Sequence, residues 1–269
     1  MKSLLFGLHR FIFVRKRLYR LNRVLYQLAL RGIGILNFED SKVSGERTFL
    51  QTLLQHRRGL IVLDVGANVG EYSNSVARLD GSAKIYAFEP HPTTFTHLAL
   101  AAKANRYSAI NAAVGEQEGC LTLFDYATHD GSQHASLYRS VIEEIHGAVS
   151  TGVQVDVLTV DGFMRAHGVG AIGLLKIDTE GHEYQVLKGA MNALCDGGIE
   201  VIHFEFNEMN VISRVFMKDF FDLLKSYRLY RMFPDGLVEL VKYSAITSEI
   251  FAYQNIVAVH SSSDLHGTL

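Results

Sequence analysis

From residue 60 onward, short apolar runs alternate with stretches whose apolar positions recur at helical spacing. The runs predict strands at Leu60–Val65, Lys84–Phe88, Ser108–Ala113, Leu174–Ile177, Glu200–Phe206 and Asn255–Val259. The stretches between them predict helices at Tyr72–Leu79, Thr93–Lys103, Tyr184–Leu194 and Phe216–Ser226. Apolar strands that alternate with helices are typical of a parallel sheet covered on both faces. We therefore predict an α/β domain with a mostly parallel, twisted sheet.

Two further pairs of runs interrupt this alternation. Leu121–Tyr126 and Val153–Leu158 predict an antiparallel pair inserted before the fourth main strand. Tyr227–Phe233 and Leu237–Tyr243 flank the turn Pro234-Asp235-Gly236 and predict a hairpin. Because the last strand follows this hairpin, we expect an antiparallel element at the C-terminal edge of the sheet.

The first 45 residues predict a helical extension in front of a domain that covers residues 46–269. Residues 1–38 hold eight basic side chains and no acidic one. On one continuous helix ending near Gly32, seven of the eight fall within an arc of roughly 140°. The apolar side chains lie opposite: Leu4, Leu8, Phe11, Val14, Leu18, Tyr19, Leu25 and Ala29. Such a face either packs on the domain or lies on an anionic membrane surface. The recurring charges exclude a transmembrane span, and no apolar run is long enough for a signal peptide.

The rest of the chain is acidic. Outside the first 38 residues, 18 basic residues stand against 28 acidic ones, in a chain of 269 residues that is 48% hydrophobic. An acidic body argues against general nucleic-acid binding, because phosphate neutralisation supplies that affinity. The isolated cysteines Cys120 and Cys195 favour a reducing compartment and argue against a disulfide framework or a zinc site. We therefore expect a cytoplasmic protein.

The first predicted strand ends in a glycine-rich turn, DVGANVG at 64–70. Glycines at 66 and 70 permit a tight turn and a close approach of a ligand to the backbone. The second strand ends in Phe88-Glu89-Pro90, and a carboxylate at this place suits the paired hydroxyls of an adenosine ribose. The two features together predict a nucleoside-containing ligand.

The charges at the turn narrow the choice of ligand. The dinucleotide pattern fails because Asn68 and Glu71 stand where its later glycines belong, and the phosphate-binding lysine motif is absent. Asp64 would repel a pyrophosphate but suits a cationic amino group, held through a water or a backbone contact. This logic favours S-adenosylmethionine over a dinucleotide.

Five segments, in order along the chain, resemble the successive motifs of the FkbM-type methyltransferases: DVGANVGEYS at 64–73, FEPHPTTFTHL at 88–98, NAAVG at 111–115, TVDGF at 159–163 and LKIDTEGHEYQVLKGA at 175–190. FEFNE at 204–208 resembles the family's next strand end. The resemblance implies a class I methyltransferase fold, which is Rossmann-like, and S-adenosylmethionine as the cofactor. It also implies O-methylation of sugar or macrolide hydroxyls as the typical reaction.

The resemblance also implies a cofactor site. Four residues of the first turn would line the methionine end of the cofactor: Asp64, Gly66, Asn68 and Gly70. Glu89 would hold the ribose hydroxyls, and residues 111–114, which include Asn111 and Ala113, would border the adenine. Asp178 ends the fourth strand and would lie beside the transferred methyl group.

An alcohol is a poor nucleophile at neutral pH, so methyl transfer to oxygen gains from a base near the acceptor hydroxyl. The catalytic candidates are Asp178, His182 and Glu180. If the strand continues, Asp178 and Glu180 face one side, and a shared site would raise the pKa of one carboxyl. The ordinary pKa of His182 is already near neutrality. Alternatively, Glu180 and His182 only cap the helix that begins near residue 182, and Glu183 is solvated.

The remaining polar clusters carry weaker expectations. Four carboxylates would suit a divalent metal, but such residues are common at strand ends and we predict no metal: Asp178, Glu180, Glu205 and Glu208. His129, His134 and His146 show no ligand spacing and are interpreted as surface or acceptor-binding residues. Ser132, His134 and Ser136 suit either a sugar-binding loop or a merely solvated one.

We predict an S-adenosylmethionine-dependent O-methyltransferase that acts on a hydroxyl of a saccharide or glycolipid acceptor, in cell-surface or secreted glycan biosynthesis. The alternatives are O-methylation of a lipid or polyketide hydroxyl and a catalytically silent cofactor-binding or scaffold protein. Because such glycans are often built on lipid carriers, the basic face of residues 1–31 predicts peripheral contact with the inner membrane face. Nothing in the sequence indicates an oligomeric state.

Overall fold

The computed structural model describes residues 2–127, 131–132 and 135–269, and the side chains from residue 6 onward within that range. Its strands, in chain order, are β1 (Ile61–Val65), β2 (Lys84–Phe88), β3 (Ser108–Ile110), β4 (Ala113–Val114), β5 (Gly119–Tyr126), β6 (Ser150–Leu158), β7 (Ile172–Ile177), β8 (Ile199–Phe206), β9 (Tyr227–Phe233), β10 (Gly236–Glu239) and β11 (Gln254–His260). Five of the six predicted main strands occur within two residues of their predicted bounds, and that at Lys84–Phe88 has the predicted bounds.

Eight strands form a large sheet in the order β10-β9-β11-β8-β7-β1-β2-β3. Five neighbouring strands of this sheet pair in parallel, in the order β8-β7-β1-β2-β3. Val62 of β1 lies opposite both Ile85 of β2 and Leu174 of β7. β11 enters antiparallel between β8 and β9, and β10 pairs antiparallel with β9 at the edge. This arrangement confirms the mostly parallel sheet with an antiparallel C-terminal part. Chain order reverses beside β1, which is where parallel sheets of this kind open a crevice.

The helices are α1 (Lys2–Phe13), α2 (Tyr19–Gly32), α3 (Glu46–His56), α4 (Glu71–Leu79), α5 (Pro92–Asn105), α6 (Val160–His167), α7 (Glu183–Lys188), α8 (Met191–Cys195), α9 (Met209–Ser213), α10 (Met217–Leu223) and α11 (Ala245–Ser248). On one face of the sheet, α6, α7 and α10 pack with side chains such as Leu63 and Leu175. On the other face, α3 and α4 pack with Val62 and Leu174. Burial on both faces explains why these strands are apolar without alternation.

The prediction of one strand over residues 108–113 is wrong. The chain turns at Asn111, whose side-chain amide donates to the carbonyl oxygens of Glu89 (2.8 Å) and Pro90 (3.0 Å). Residues before the turn form β3 of the large sheet, and residues after it form β4. β4 pairs with β6, and β6 pairs antiparallel with β5, so the predicted antiparallel pair belongs to a separate sheet, β4-β6-β5.

The predicted helix over residues 184–194 is also divided. α7 and α8 are separated by Gly189 and Ala190. A Cβ atom at Gly189 would lie 2.0 Å from the carbonyl oxygen of Gly115. The close approach of the end of α7 to the small sheet therefore requires glycine at this position.

The continuous helix predicted for the extension is wrong as well. α1 ends at Phe13, a short 3-10 turn covers Lys16–Leu18, and α2 follows. The side-chain amide of Asn22 donates to the carbonyl oxygen of Phe13 (2.9 Å), which satisfies one acceptor at the end of α1. The break changes the rotational phase of the two helices, so the basic arc derived for one helix does not run unbroken along both.

The apolar side chains of the extension are exposed in the part of the chain that the structure describes. Leu8, Phe11 and Tyr19 expose 57%, 71% and 63% of their surface, so they do not pack on the domain as one alternative expected. The side chain of Leu4 lies outside the described residues. Contact with the domain begins at Leu30 and Ile35, which are buried. Within the described residues, no helix combines the length and the apolar character needed to cross a bilayer.

Candidate active site

A cavity of about 570 Å³ opens at the carboxyl ends of β2, β1, β7 and β8. It brings together most of the predicted site residues: Asp64, Gly66, Asn68, Glu89, Ala113, Asp178, Glu180 and His182. Gly70 and Asn111 do not line it. The parallel strands account for this convergence, because their carboxyl ends meet along one edge of the sheet.

The β1 turn leaves no room for a side chain at Gly66. Its φ is +81°, and a Cβ atom there would lie 1.7 Å from the carbonyl oxygen of Asp178. Gly70 has a φ of +89°, and a Cβ atom there would lie 2.3 Å from the Tyr107 hydroxyl. The first glycine therefore lets the β1 turn pack against the backbone that follows β7, whereas the second shapes the turn from outside the cavity.

Asp64 lies buried beneath this turn. Its Oδ2 accepts a hydrogen bond from the Ser73 hydroxyl (2.6 Å). Burial raises the pKa of Asp64 to about 6, against the opposing effects of the Ser73 hydrogen bond and the Lys176 ammonium. The carboxyl is therefore mostly ionised at neutral pH and offers a negative charge to a cationic group.

Glu89 ties the β1 turn to the β2 turn. Its Oε2 accepts the backbone N–H of Asn68 (3.0 Å), and its Oε1 accepts that of His91 (2.8 Å). Burial raises the pKa of Glu89 to about 7, although both hydrogen bonds oppose the rise. The two oxygens keep further lone pairs that can accept hydroxyl donors. The Asn111 amide supports the β2 turn from outside the cavity through the bonds described above.

Asp178 follows the last residue of β7. The strand ends at Ile177, and Glu180 takes a left-handed φ of +53°, so the condition under which Asp178 and Glu180 would face one side of a strand is not met. Both carboxylates line the cavity nonetheless. Glu183 is buried rather than solvated: its Oε1 accepts the backbone N–H groups of Thr179 (3.0 Å) and Gly181 (3.1 Å). Burial raises the pKa of Glu183 to about 7.

His182 stands at the N-terminus of α7 but makes no side-chain cap hydrogen bond, contrary to the capping alternative. Its Nδ1 lies 3.2 Å from the Tyr138 hydroxyl. Burial lowers the pKa of His182 to about 4. The imidazole is therefore neutral at physiological pH and a weaker base than an exposed histidine.

Sequence reasoning missed Lys176, a buried lysine two residues before Asp178 on β7. Its Nζ lies 3.2 Å from Asp178 Oδ2. Burial acts to lower the pKa of Lys176, but the charges of Asp178, Glu205 and Glu46 outweigh it and hold the pKa above its ordinary value. The sequence did contain a signal for Lys176, because a lysine is rarely found within a buried strand such as the apolar run at 172–177.

Several other residues, together with Lys176 and Asp178, form what we call the β8 side of the cavity: Glu46, Tyr72, Glu205, Asn207, Glu208 and Tyr253. Sequence reasoning considered Glu205 and Glu208 only as metal ligands. Burial and the charge of Asp178 raise the pKa of Glu205 well above its ordinary value. Glu205 of β8 is thus a carboxyl whose pKa the charge of Asp178 helps to raise.

A buried hydrogen-bond relay orients the hydroxyl of Tyr253. Burial lowers the pKa of His203, so its ring is neutral. His203 Nε2 lies 2.9 Å from Asn255 Oδ1, which only accepts, so Nε2 carries the proton and Nδ1 accepts from Tyr72 (3.3 Å). Asn255 Nδ2 donates to the Tyr253 hydroxyl oxygen (3.1 Å). The proton of Tyr253 is consequently left to donate into the cavity.

The inserted loop is only partly described. His129 and His134 lie outside the described residues, and His146 lines the cavity. Ser136 is buried rather than solvated, and its hydroxyl donates to the carbonyl oxygen of Glu180 (2.8 Å). Ser132 donates its hydroxyl proton to Asp125. Among the residues that the structure describes, no three His, Cys, Asp or Glu side chains form a group suited to a metal ion.

The residues of the β1 and β2 turns fit S-adenosylmethionine. Gly66 lets the β1 turn pass directly against the backbone of Asp178, so both line the same cavity. Asp64 supplies a negative charge for the amino group of the ligand, and Glu89 supplies acceptors for two ribose hydroxyls. Fold and site together are those of an S-adenosylmethionine-dependent methyltransferase of class I.

Comparison with known proteins identifies the family. Residues 64–232 match the model described as the methyltransferase FkbM domain, and the chain belongs to this family. It is 28% identical to the 31-O-demethyl-FK506 methyltransferase FkbM of Streptomyces tacrolimicus, covering 60% of this chain and 70% of the relative. It is 30% identical to the hexuronic acid methyltransferase AglP of Haloferax volcanii, over 56% of this chain and 58% of the relative.

A third relative is the 2-O-methyltransferase NoeI of Sinorhizobium fredii, which is 23% identical over 66% of this chain and 76% of its own length. Similarity to solved structures is weaker. A SAM-dependent O-methyltransferase from Thermotoga maritima aligns with a TM-score of 0.42 and 12% identity, over 81% of this chain and 65% of that chain. The assignment therefore rests on the family match and on the site.

Proposed function

We propose that this methyltransferase transfers the methyl group to a hydroxyl of a saccharide, in the assembly of a cell-surface or secreted glycan. The observation that carries the proposal is the polarity of the β8 side. Within one small volume it offers an ammonium, carboxyls, an amide and phenolic hydroxyls, from Lys176, Glu205, Asn207 and Tyr253 among others. A ligand with several hydroxyls suits such a surface, because each buried polar group needs a partner.

The named relatives agree with this reaction class. Two are named for transfer to oxygen, at position 31 of FK506 and as a 2-O-methyltransferase. A third is named for hexuronic acid, which is a sugar acid. They support O-methylation as the reaction and a sugar as one acceptor class within the family.

S-adenosylmethionine, when bound, supplies a methyl group already activated on a sulfonium sulfur. The protein must then hold the acceptor hydroxyl in line and take up its proton. Asp178 is the base in this proposal, because Lys176 donates to its Oδ2 and Oδ1 remains able to accept a proton. The Tyr253 hydroxyl can donate to the acceptor oxygen and so fix its position. The lowered pKa of His182 makes it the weaker candidate base.

We further propose that the acceptor is carried on a lipid at the inner membrane face. α1 and α2 combine basic residues with exposed apolar ones such as Phe11 and Tyr26. A juxtaposed anionic surface attracts each Lys or Arg by about 1 kcal/mol. The chain then continues from α2 to Leu36 and Phe38, which line the cavity. Membrane contact would therefore bring a lipid-linked sugar directly to the cavity mouth.

Transfer of labelled methyl tests the proposed acceptor class. Membranes and soluble extract of the source cells are incubated with the enzyme and methyl-tritiated S-adenosylmethionine, and then separated into glycan, lipid and protein fractions. We expect label in the glycan or glycolipid fraction, in an alkali-stable form because a methyl ether resists hydrolysis. Heat-inactivated enzyme serves as the control. Label confined to a sugar-free lipid fraction would contradict the saccharide assignment, and no label above the control would favour a silent binding protein.

A further inference from the structure

The strand order of the large sheet separates the cavity into two parts. Glu89 on the β2 side and Asp64 at β1 would hold the cofactor, and Asp178 follows β7 in the middle. The β8 side lies across Asp178 from these two residues, and we expect the acceptor to approach the methyl group from there. The charges on the β8 side therefore select the acceptor.

The β8 side is rich in carboxyl groups and holds one basic side chain. Among the described residues, its carboxyls belong to Glu46, Asp178, Glu205 and Glu208, and its only ammonium is that of Lys176. Around the whole cavity, the lining contains no arginine in the part of the chain that the structure describes. Arginine and lysine are the side chains that proteins use to hold a carboxylate.

Lys176 is not free to serve as such a partner. Its Nζ lies 3.2 Å from Asp178 Oδ2, and the charges of Glu205, Glu46 and Asp64 act on it from other elements. Its charge is thus already balanced within the protein. A carboxylate on the acceptor would enter a buried site without a counter-charge, at a large cost of desolvation.

An uncharged or amino-bearing acceptor, in contrast, finds hydrogen-bond partners on the β8 side. The oriented Tyr253 hydroxyl donates to a sugar oxygen, and carboxyls accept from sugar hydroxyls. Burial raises the pKa of both Glu46 and Glu205, so either can hold a proton beside a neutral sugar and lose it beside an ammonium group. The site thus adapts to a neutral or cationic group but not to an anionic one.

We propose that the β8 side takes a saccharide that is uncharged, or that carries an amino group, next to the methylated hydroxyl, and excludes one that carries a carboxylate there. The inference rests on the proposed function and names its substrate class. It separates this chain from the relative named for hexuronic acid.

Bisubstrate probes test this selectivity without knowledge of the acceptor. In three analogues of S-adenosylmethionine, a tertiary amine replaces the sulfonium, and a short arm replaces the methyl group and ends in a hydroxyl, an ammonium or a carboxylate. Calorimetry on the whole 269-residue chain gives their dissociation constants. We expect the carboxylate arm to bind at least about tenfold more weakly than the hydroxyl arm, a ratio that corresponds to about 1.4 kcal/mol. The ammonium arm should bind at least as tightly as the hydroxyl arm.

Glu205→Gln tests which residue sets the preference. It should weaken the ammonium arm by about tenfold relative to the hydroxyl arm, because the ammonium loses its counter-charge. Glu239→Gln, on the exposed edge strand β10 and outside the cavity, is the matched control and should change neither constant.

Equal or tighter binding of the carboxylate arm would overturn the inference. So would a failure of all three arms to bind while S-adenosylhomocysteine binds, because the β8 side would then not admit acceptor groups. A protein that binds neither S-adenosylhomocysteine nor S-adenosylmethionine would instead overturn the proposed function itself, and this inference with it.

Discussion

Glu89→Ala removes a buried carboxyl whose oxygens accept two backbone N–H groups, those of Asn68 and His91. With cofactor bound, the same group would also accept two ribose hydroxyls. Each hydrogen bond to a charged acceptor contributes about 1.5–3 kcal/mol, so two contribute about 3 kcal/mol or more. That corresponds to about a hundredfold in affinity, and water entering the space offsets part of it. We expect the dissociation constant of S-adenosylhomocysteine to rise by at least about tenfold.

The pH dependence of wild-type binding follows from the pKa of Glu89, which is about 7. Ribose hydroxyls donate to the ionised form, so binding favours ionisation and affinity is full above this pKa. It should fall by about tenfold per pH unit as the pH drops below 7, and Asp64 steepens the fall below its pKa of about 6. For the free protein the sign is opposite. The raised pKa of Glu89 contributes stability that is present below its ordinary pKa and is lost as the pH rises through about 7.

Calorimetric titration with S-adenosylhomocysteine between about pH 8 and about pH 5.5 measures both effects. Asp161→Ala is the matched control. Asp161 also accepts two backbone N–H groups, from Asn192 (2.9 Å) and Ala193 (3.0 Å), but it does not line the cavity. We expect Glu89→Ala to flatten the pH profile between 6 and 7 and Asp161→Ala to leave it unchanged. An unchanged dissociation constant in Glu89→Ala, or an equal loss in the control, would refute the ribose assignment. NAD should not bind to the wild-type protein or to either variant.

Three further predictions concern the base, the turn and the extension. Asp178→Asn should lower the single-turnover rate steeply while the melting temperature stays nearly unchanged, and His182→Ala should lower that rate less. Full activity of Asp178→Asn would mean that the base is His182 or Glu180. Gly66→Ala should destabilise the fold by about 2–5 kcal/mol in denaturant unfolding, from left-handed strain plus overpacking, whereas Gly81→Ala, with open space around it, should not. Deletion of residues 1–31 should abolish salt-sensitive sedimentation with anionic vesicles while the domain stays folded; absence of vesicle binding by the full chain at low salt would remove the membrane proposal.

The large sheet could be predicted because its signal is local. Strands buried on both faces must be apolar throughout, so Lys84–Phe88 and its neighbours stand out from the amphipathic helices between them. The convergence of Glu89 and Asp178 follows from the same pattern, since parallel strands bring their carboxyl ends to one edge. The glycine at 66 marks its own turn, because only glycine tolerates that backbone so close to β7.

Elements that depend on distant contacts could not be predicted in this way. The run at 108–113 contains no glycine or proline that would mark a turn, yet the Asn111 amide turns the chain there and its end joins another sheet. The periodicity of apolar residues predicts α1 and α2 as one helix, because nothing in the hydrophobic pattern marks the 3-10 turn at Lys16–Leu18. Hydrophobic spacing indicates which face of an element is apolar. It does not indicate where a strand changes from one sheet to another or where a helix is interrupted.

By itself the sequence determined the fold class, the glycine-rich turn and the carboxylates that end β2 and β7. Only the tertiary structure decided their electrostatic states. The insertion of β11 between β8 and β9 brings Tyr253 to a site built by strands far earlier in the chain. Burial of Lys176 among carboxyls from α3, β7 and β8 then balances its charge. Ionisation depends on the sum of burial and of charges contributed by several elements, and no local segment contains that sum.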